Sequence, residues 1–143
     1  MGGGERIKSG VLSDGEKNWY IRDYIPRFVD ESDDAFSVQW NNHPKIMHID
    51  TGLDLYKKRF IKETQWPPHL SSEIVLEAGC GSGAFTRHAL ETGAMVVSFD
   101  YSSSVDIVYQ RFGNNKNLRI VQASIYSMPF PKSFDRVFCF GVL

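Results

Sequence analysis

Val75-Leu76-Glu77-Ala78-Gly79-Cys80-Gly81-Ser82-Gly83 is a short apolar run that leads into a glycine-rich loop. Residues 74–76 predict a buried strand, and residues 84–92 predict a helix whose inner face carries Phe85, Ala89 and Leu90. Glycine permits a sharp backbone turn and lets a ligand come close to the backbone. The stretch therefore predicts a strand, a tight turn and a helix, with a ligand site at the turn.

The chain after this loop continues to alternate between strands and helices. Apolar residues predict strands over 94–99, 118–122 and 134–140. Gly93 is expected to end the first helix, and Ser102 to Ser104 are expected to cap a second helix over 105–112. Apolar strands separated by helices indicate an α/β fold, a doubly wound parallel sheet with helices on both faces.

The first 69 residues are irregular and rich in aromatic side chains. Residues 19–25 alternate weakly and predict one short strand that Pro26 ends. Residues 52–65 predict a helix, capped by Asp50 or Thr51 and stopped by Trp66-Pro67-Pro68. We therefore divide the chain at residue 70, into an N-terminal segment (1–69) and a regular α/β part (70–143).

The composition excludes several classes of protein. The 143 residues include 16 basic and 17 acidic side chains, so the charge balance gives no reason to expect nucleic acid or membrane as a partner. No apolar run is long enough to span a membrane, and the N-terminus has no apolar signal region, so a cytoplasmic location is expected. The two cysteines cannot build a disulfide framework or a zinc finger.

An acidic residue, Asp100, lies 21 positions after Gly79 of the glycine loop. Asp100 ends the predicted strand 94–99, and it lies where an acid accepts hydrogen bonds from ribose hydroxyls in nucleotide-binding folds. Gly79, Gly81 and Ala84 also satisfy the dinucleotide pattern. These observations indicate a ligand that contains a nucleoside, and they leave a nicotinamide dinucleotide open.

Glu77 narrows the choice of nucleoside. A carboxylate at the end of a buried strand is costly unless it has a cationic or hydrogen-bonding partner. It would repel a pyrophosphate and attract an ammonium or sulfonium group, and S-adenosylmethionine carries both. The alternative is a carboxylate that simply lies in solvent at the strand end.

Three motifs resemble a known family. Residues 75–83 look like the first motif of the class I S-adenosylmethionine-dependent methyltransferases, and residues 96–102 resemble their second motif. Residues 121–131, followed by 133–137, are similar to a segment of the branch that contains the ubiquinone and menaquinone biosynthesis methyltransferases. The resemblance covers residues 70–143 and implies a Rossmann-like sheet with S-adenosyl-L-methionine as the cofactor.

The resemblance also implies roles for individual residues. The glycine loop would lie under the methionine part of the cofactor, with Glu77 near its amino group, and Asp100 would bind the ribose hydroxyls. Ser124 stands where the family usually has an aspartate that accepts from the adenine amino group. The implied cofactor-binding residues are Glu77, Gly79, Cys80, Gly81, Gly83, Asp100, Tyr101, Ser124, Ile125, Phe140 and Gly141.

The N-terminal segment carries two weaker resemblances. Residues 20–27 resemble the tail of a small zinc-ribbon module, but without a cysteine pair no metal is expected. Val38-Gln39-Trp40 resembles an element that precedes the core in related bacterial methyltransferases, where it would fold over the cofactor as a lid. The alternative is that Trp40 only packs against the sheet.

The function that follows is methyl transfer to a small-molecule acceptor by in-line displacement. No general base and no other catalytic residue can be named, and the oligomeric state is not indicated. The alternatives are an NAD(P)-dependent oxidoreductase with a Rossmann domain and a non-catalytic nucleoside-binding module. Because the family fold continues beyond a fourth strand, we expect residues 70–143 to be an incomplete domain.

Overall fold

The structure is a computed structural model that describes residues 5–30 and 53–140. The predicted helix cap at Asp50 or Thr51, the element at 38–40 and Gly141 lie outside the described residues. The elements are β1 (Gly10–Ser13), β2 (Asn18–Arg22), β3 (Ile25–Phe28), α1 (Leu53–Thr64), β4 (Ile74–Ala78), α2 (Thr86–Glu91), β5 (Met95–Asp100), α3 (Ser104–Phe112), β6 (Leu118–Ala123) and β7 (Arg136–Phe138).

All the described strands belong to one sheet, with the order β1-β2-β3-β6-β5-β4-β7. Strands β6, β5, β4 and β7 are mutually parallel, which confirms the predicted Rossmann-like α/β fold. From β4 the chain proceeds outward to β5 and β6, and it then returns to the other side of β4 as β7. Such a reversal leaves a crevice at the carboxyl ends of the strands, where ligands bind in open α/β sheets.

The core lies on both faces of this sheet. On the first face, Val75, Val96 and Leu118 pack against α1, α2 and α3. On the second face, Leu76 and Phe99 pack with residues of the segment between β6 and β7, such as Phe130. Within the described residues, all three helices therefore cover one face, and the β6–β7 connection covers the other.

The N-terminal strands differ from the prediction. The single strand expected over 19–25 is wrong, because Asp23 and Tyr24 adopt positive φ angles of 50° and 68° and turn the chain between β2 and β3. Pro26 does not end a strand but lies within β3 opposite Ile21. Strand β1 carries no buried residue, so no alternating pattern could indicate it. The three strands form an antiparallel meander that joins the parallel sheet through β3 and β6.

Several element boundaries were predicted closely. Helix α1 covers 53–64 and ends where Gln65 adopts a φ of 52°, and Gly93, at a φ of 81°, follows α2 as expected. Strand β7 is shorter than predicted.

The described helices include none that is both long enough and apolar enough to cross a membrane. The division of the chain at residue 70 stays a prediction. Strand β3 of the N-terminal segment and strand β6 of the α/β part belong to the same sheet.

The cap predicted for the second helix is built differently. Ser103 precedes α3 but makes no side-chain hydrogen bond to it. The hydroxyl of Ser102 instead accepts from the backbone N–H of Ser104, at 3.3 Å, and bonds to the Ser104 hydroxyl, at 2.6 Å. The serines therefore organise the turn before α3 as well as the helix end.

Candidate cofactor site

The glycine loop joins β4 to α2 at the carboxyl edge of the sheet. The backbone N–H groups of Gly79 and Cys80 both donate to the Phe99 carbonyl of β5, at 2.9 and 3.0 Å. Gly79, Gly81 and Gly83 have φ angles of 74°, 53° and 94°. Residues with a side chain rarely adopt these angles, so the loop favours glycine at each position.

Gly83 has a second requirement, which is space. A Cβ atom at this position would lie 2.9 Å from Cε2 of Phe112 on α3. The missing side chain therefore lets the loop pack directly on α3. The backbone of Gly83 stays a predicted part of the cofactor floor, while its Cβ position faces the protein.

Glu77 is buried beneath this loop, with 3% of its surface exposed. Its Oε2 accepts hydrogen bonds from the hydroxyls of Thr86 on α2 and Ser98 on β5, both at 2.6 Å. The alternative of a solvated strand-end carboxylate is therefore wrong. The two hydroxyls supply partners for the buried acid, so its burial does not by itself require a cationic ligand.

Burial also changes the acidity of Glu77. Desolvation raises the pKa of its carboxyl from 4.5 to about 7, against the lowering effect of the hydrogen bonds from Ser98 and Thr86. The charge of Asp100 raises it further. With a pKa of about 7, the carboxyl becomes more fully ionised when a positive charge lies nearby.

Asp100 connects the loop to the next turn. Its Oδ2 accepts from the backbone N–H of Gly81, at 2.9 Å, and its Oδ1 accepts from the N–H and the hydroxyl of Ser102, at 2.9 and 2.8 Å. The carboxylate is half-buried. The two parts of the predicted site, which are separated in the sequence, therefore meet in the fold.

Cys80 is a packing residue. It is buried at 6% exposure, and burial raises the pKa of its thiol well above the ordinary value, with the charges of Glu77 and Asp100 adding to the effect. The thiol therefore stays protonated and is a poor nucleophile. Its place in the loop is explained by small size.

Ser124 and Ile125 directly follow the end of β6. The Ser124 hydroxyl accepts from the backbone N–H of Tyr126, at 3.2 Å, and both Ser124 and Ile125 are half-buried. Tyr101, which follows Asp100, accepts a hydrogen bond at its carbonyl from the Gln122 side chain, at 3.0 Å. These residues lie at neighbouring strand ends, as the resemblance implies.

An aromatic cluster lies where the residues after β7 meet the end of the glycine loop. The Phe140 ring packs edge-on against Phe85, with centroids 4.7 Å apart, and Phe85 directly precedes α2. Phe60 of α1 also contacts Phe140. The aromatic contact therefore ties α1 and the residues after β7 to the end of the glycine loop.

The sequence did not predict that three polar residues would hydrogen-bond to the acids of this site, namely Thr86, Ser98 and Ser102. Ser98 had a signal in the sequence, since it is a polar residue inside an apolar strand and lies opposite Glu77 in the register. Across residues 5–30 and 53–140, no group of three or more histidine, cysteine, aspartate or glutamate side chains could hold a metal ion.

Comparison with known proteins finds that the α/β part of the chain is similar to methyltransferases. Residues 76–143 match the model of a family described as a methyltransferase domain. The tRNA U34 carboxymethyltransferase of Proteus mirabilis (strain HI4320) is 36% identical over 84 residues, a match that covers 53% of this chain and 26% of that protein. The chain therefore spans about a quarter of the length of that curated relative.

Two solved structures overlap with parts of the chain. Arabidopsis thaliana protein arginine methyltransferase 10 is similar over 47% of this chain and 20% of its own, with 21% identity and a TM-score of 0.42. Coclaurine N-methyltransferase, solved with N-methylheliamine and SAH, is similar over 61% of this chain and 25% of its own, with 25% identity and a TM-score of 0.46. Residues 76–143 are therefore similar to a methyltransferase-domain family, in agreement with the resemblance of the sequence motifs to the class I S-adenosylmethionine-dependent methyltransferases.

Proposed function

We propose that this protein binds S-adenosylmethionine in the crevice above β4, β5 and β6 and takes part in transferring its methyl group to a small-molecule acceptor. The observation that carries the proposal is the hydrogen bond between the Gly81 amide and the Asp100 carboxylate, at 2.9 Å. This hydrogen bond places the glycine loop, which a ligand can approach closely, next to an acid that can accept hydrogen bonds from ribose hydroxyls. The match of residues 76–143 to a methyltransferase-domain family supports the same ligand.

The residues present fit the cofactor by the chemistry of their polar groups. A carboxylate has about four acceptor positions, and Asp100 uses three of them within the protein. One ribose hydroxyl can therefore bind without any rearrangement. A second can bind if the Ser102 hydroxyl turns to its other partner, Ser104, 2.6 Å away.

Glu77 fits the amino group of the methionine part. The acid is buried at the loop, and its pKa of about 7 means that an ammonium group nearby would favour the ionised form. A pyrophosphate would meet the carboxylate of Glu77 at the same loop, whereas Asp100 fits the ribose of either ligand. This charge arrangement supports S-adenosylmethionine over the alternative of NAD or NADP.

The remaining site residues are proposed from their positions. Ser124 offers a neutral hydroxyl where the family usually has a charged acceptor for the adenine amino group, and Ile125 offers an apolar wall. Tyr101 lies beside the adenine in this arrangement. Phe140, after β7, approaches the methionine part, and Gly141, which lies outside the described residues, stays a prediction from the resemblance.

The chemistry depends mainly on alignment. When bound, S-adenosylmethionine supplies an electrophilic methyl group on a sulfonium. The residues of this chain hold the cofactor at both ends, with Glu77 and the loop at the amino acid and Asp100 at the ribose. Fixing the geometry of two reactants in this way can contribute about 7–11 kcal/mol to lowering a barrier. No general base is assigned.

The class of acceptor has a second candidate. A small molecule is supported by the near-balanced charge of the chain, at a net −1. A nucleic acid acceptor is favoured by the similarity to a tRNA U34 carboxymethyltransferase. Binding of a labelled tRNA at low salt, compared with binding at high salt, separates the two candidates, because contacts to phosphates weaken steeply with salt.

The ligand test compares S-adenosylhomocysteine with NAD by isothermal calorimetry on the purified protein. We expect S-adenosylhomocysteine to bind more tightly, because its ammonium group is attracted where a pyrophosphate is repelled. Tighter binding of NAD would overturn the methyltransferase proposal and favour the oxidoreductase.

The second test replaces Asp100. Hydrogen bonds to a charged group are worth about 1.5–3 kcal/mol each when lost, so Asp100→Ala should weaken S-adenosylhomocysteine binding by at least about 10-fold. The matched control is Asp135→Ala, since Asp135 accepts from the Ile74 N–H at the opposite end of β4, at 2.8 Å. The control should lose stability and keep its affinity. An unchanged affinity in a folded Asp100→Ala protein would remove Asp100 from the site.

A further inference from the structure

The N-terminal meander is attached to the parallel sheet over a short length. Strands β3 and β6 are in register at two positions, Arg27 opposite Gln122 and Phe28 opposite Ala123. Such a short ladder supplies few backbone hydrogen bonds. The side chains at these positions therefore have a large share in holding the meander in place.

Arg27 makes the main polar attachment. Its side chain is 7% exposed, and its two terminal nitrogens donate to both carboxylate oxygens of Asp106 on α3, at 2.7 and 3.2 Å. One of them also donates to the Arg22 carbonyl, at 3.1 Å. A planar guanidinium paired with both oxygens of a carboxylate fixes orientation as well as distance.

The same guanidinium orients Gln122. Arg27 donates to Oε1 of Gln122, at 3.2 Å, and Nε2 of Gln122 donates to the Tyr101 carbonyl, at 3.0 Å. Gln122 is 6% exposed. Because a guanidinium has donors only, its contact determines which end of the amide faces Tyr101.

These contacts reach the proposed adenosine site. Tyr101 lies between Asp100 and Ser102, and the Ser102 N–H donates to Asp100, at 2.9 Å. Asp106 is in the first turn of α3, directly after this turn of the chain. Arg27 therefore contacts the helix that follows the turn and, through Gln122, the carbonyl in the middle of it.

We propose that Arg27 is a positioning residue for the cofactor site: through Gln122 and Asp106 it holds the turn of residues 100–102 in the shape that binds adenosine. The meander is then a working part of the site, although Arg27 contacts no ligand. The link to adenosine rests on the proposed function, whereas the link to the turn does not.

The sharpest variant is Gln122→Glu. It keeps the partner of Arg27 and the size of the side chain, but it replaces the donor that faces the Tyr101 carbonyl with an acceptor. We expect the protein to stay folded and to bind S-adenosylhomocysteine and adenosine about 3- to 10-fold more weakly, by equal factors. The Gln122–Tyr101 hydrogen bond no longer holds the turn, so the ligand must order it on binding, and a factor of this size corresponds to one neutral hydrogen bond. Amide hydrogen exchange at Ser102 should become faster.

The companion variant is Arg27→Met, with Arg6→Met as its matched control. Arg6 also attaches the N-terminal segment to the α3–β6 region, but it donates to the carbonyls of Asn115 and Leu118, at 2.9 and 3.2 Å, far from the turn. Both variants should lose stability. Only Arg27→Met should weaken ligand binding and speed exchange at Ser102, measured at a temperature where both are folded.

The outcomes separate the two proposals. If Ser102 exchange and ligand affinity in Gln122→Glu equal those of the unmodified protein, or if Arg6→Met changes them as much as Arg27→Met, the positioning role is wrong. If the unmodified protein binds no S-adenosylhomocysteine, the proposed function fails, and the exchange at Ser102 still decides whether Arg27 positions the turn.

Discussion

Glu77→Gln should make the protein more stable at pH 8 by about 3 kcal/mol and leave its stability at pH 4 nearly unchanged. Burial raises the pKa of the Glu77 carboxyl from 4.5 to about 7, so the folded state holds the proton more tightly than the unfolded state. The contribution of Glu77 to stability is therefore least unfavourable below pH 4.5. The protein then loses stability progressively as the pH rises to about 7. Glutamine has no proton to lose, and its carbonyl can still accept from Thr86 and Ser98.

Chemical denaturation of both proteins at several pH values measures this difference. The difference in the free energy of unfolding between the two proteins should grow from pH 4.5 to pH 7 and then level off. Taking the difference removes the titration of all other groups. A constant difference across this range would show that the carboxyl of Glu77 is not perturbed by its burial.

The same variant should bind S-adenosylhomocysteine more weakly at pH 8. Glutamine cannot supply the negative charge that we propose for the amino group of the ligand. Stability would then rise while affinity falls, as expected for a buried acid that is kept for binding rather than for folding. Unchanged affinity would limit Glu77 to a structural role between Thr86 and Ser98.

Gly81→Val should reduce S-adenosylhomocysteine binding more than Asp100→Ala does. Gly81 has a φ of 53°, and a β-branched residue held at such an angle costs about 1–3 kcal/mol. The loop can relieve this cost only by changing shape, which withdraws the Gly81 N–H from Asp100. A valine side chain would also occupy space that we assign to the methionine part.

The control for this variant is Gly15→Val. Gly15 also has a positive φ, of 96°, but a Cβ there would meet no other atom within 4 Å. It lies outside the proposed site, between β1 and β2. Calorimetry should find a large loss of affinity for Gly81→Val and none for Gly15→Val. Equal affinities in two folded proteins would place the ligand away from the loop.

The α/β half of the fold could be predicted because its signals are local. The buried strands are predominantly apolar, and Gly93 adopts the positive φ that ends a helix. Asp100 was predicted to be a site residue from its place after a strand, and the structure brings it to the Gly81 amide. Periodicity and turn chemistry act within a few residues, so the sequence alone reveals them.

The N-terminal meander could not be predicted in the same way. Strand β1 is exposed along its length, and Pro26 in β3 looked like a strand end. Its place in the sheet depends on Arg27 meeting Asp106, which lies 79 positions away in the chain. A contact between such distant residues leaves no periodic trace in the segment that makes it.

The sequence by itself determined the parallel sheet, the glycine loop and the similarity to a methyltransferase family, because strand period, turn residues and motif spacing are properties of neighbouring residues. Only the tertiary structure decided what Glu77 and Arg27 do. The hydroxyls of Thr86 and Ser98 come from two other elements, and the partners of Arg27 come from α3 and β6. The state of a buried charge depends on the groups that folding places around it, and these groups are not its neighbours in the chain.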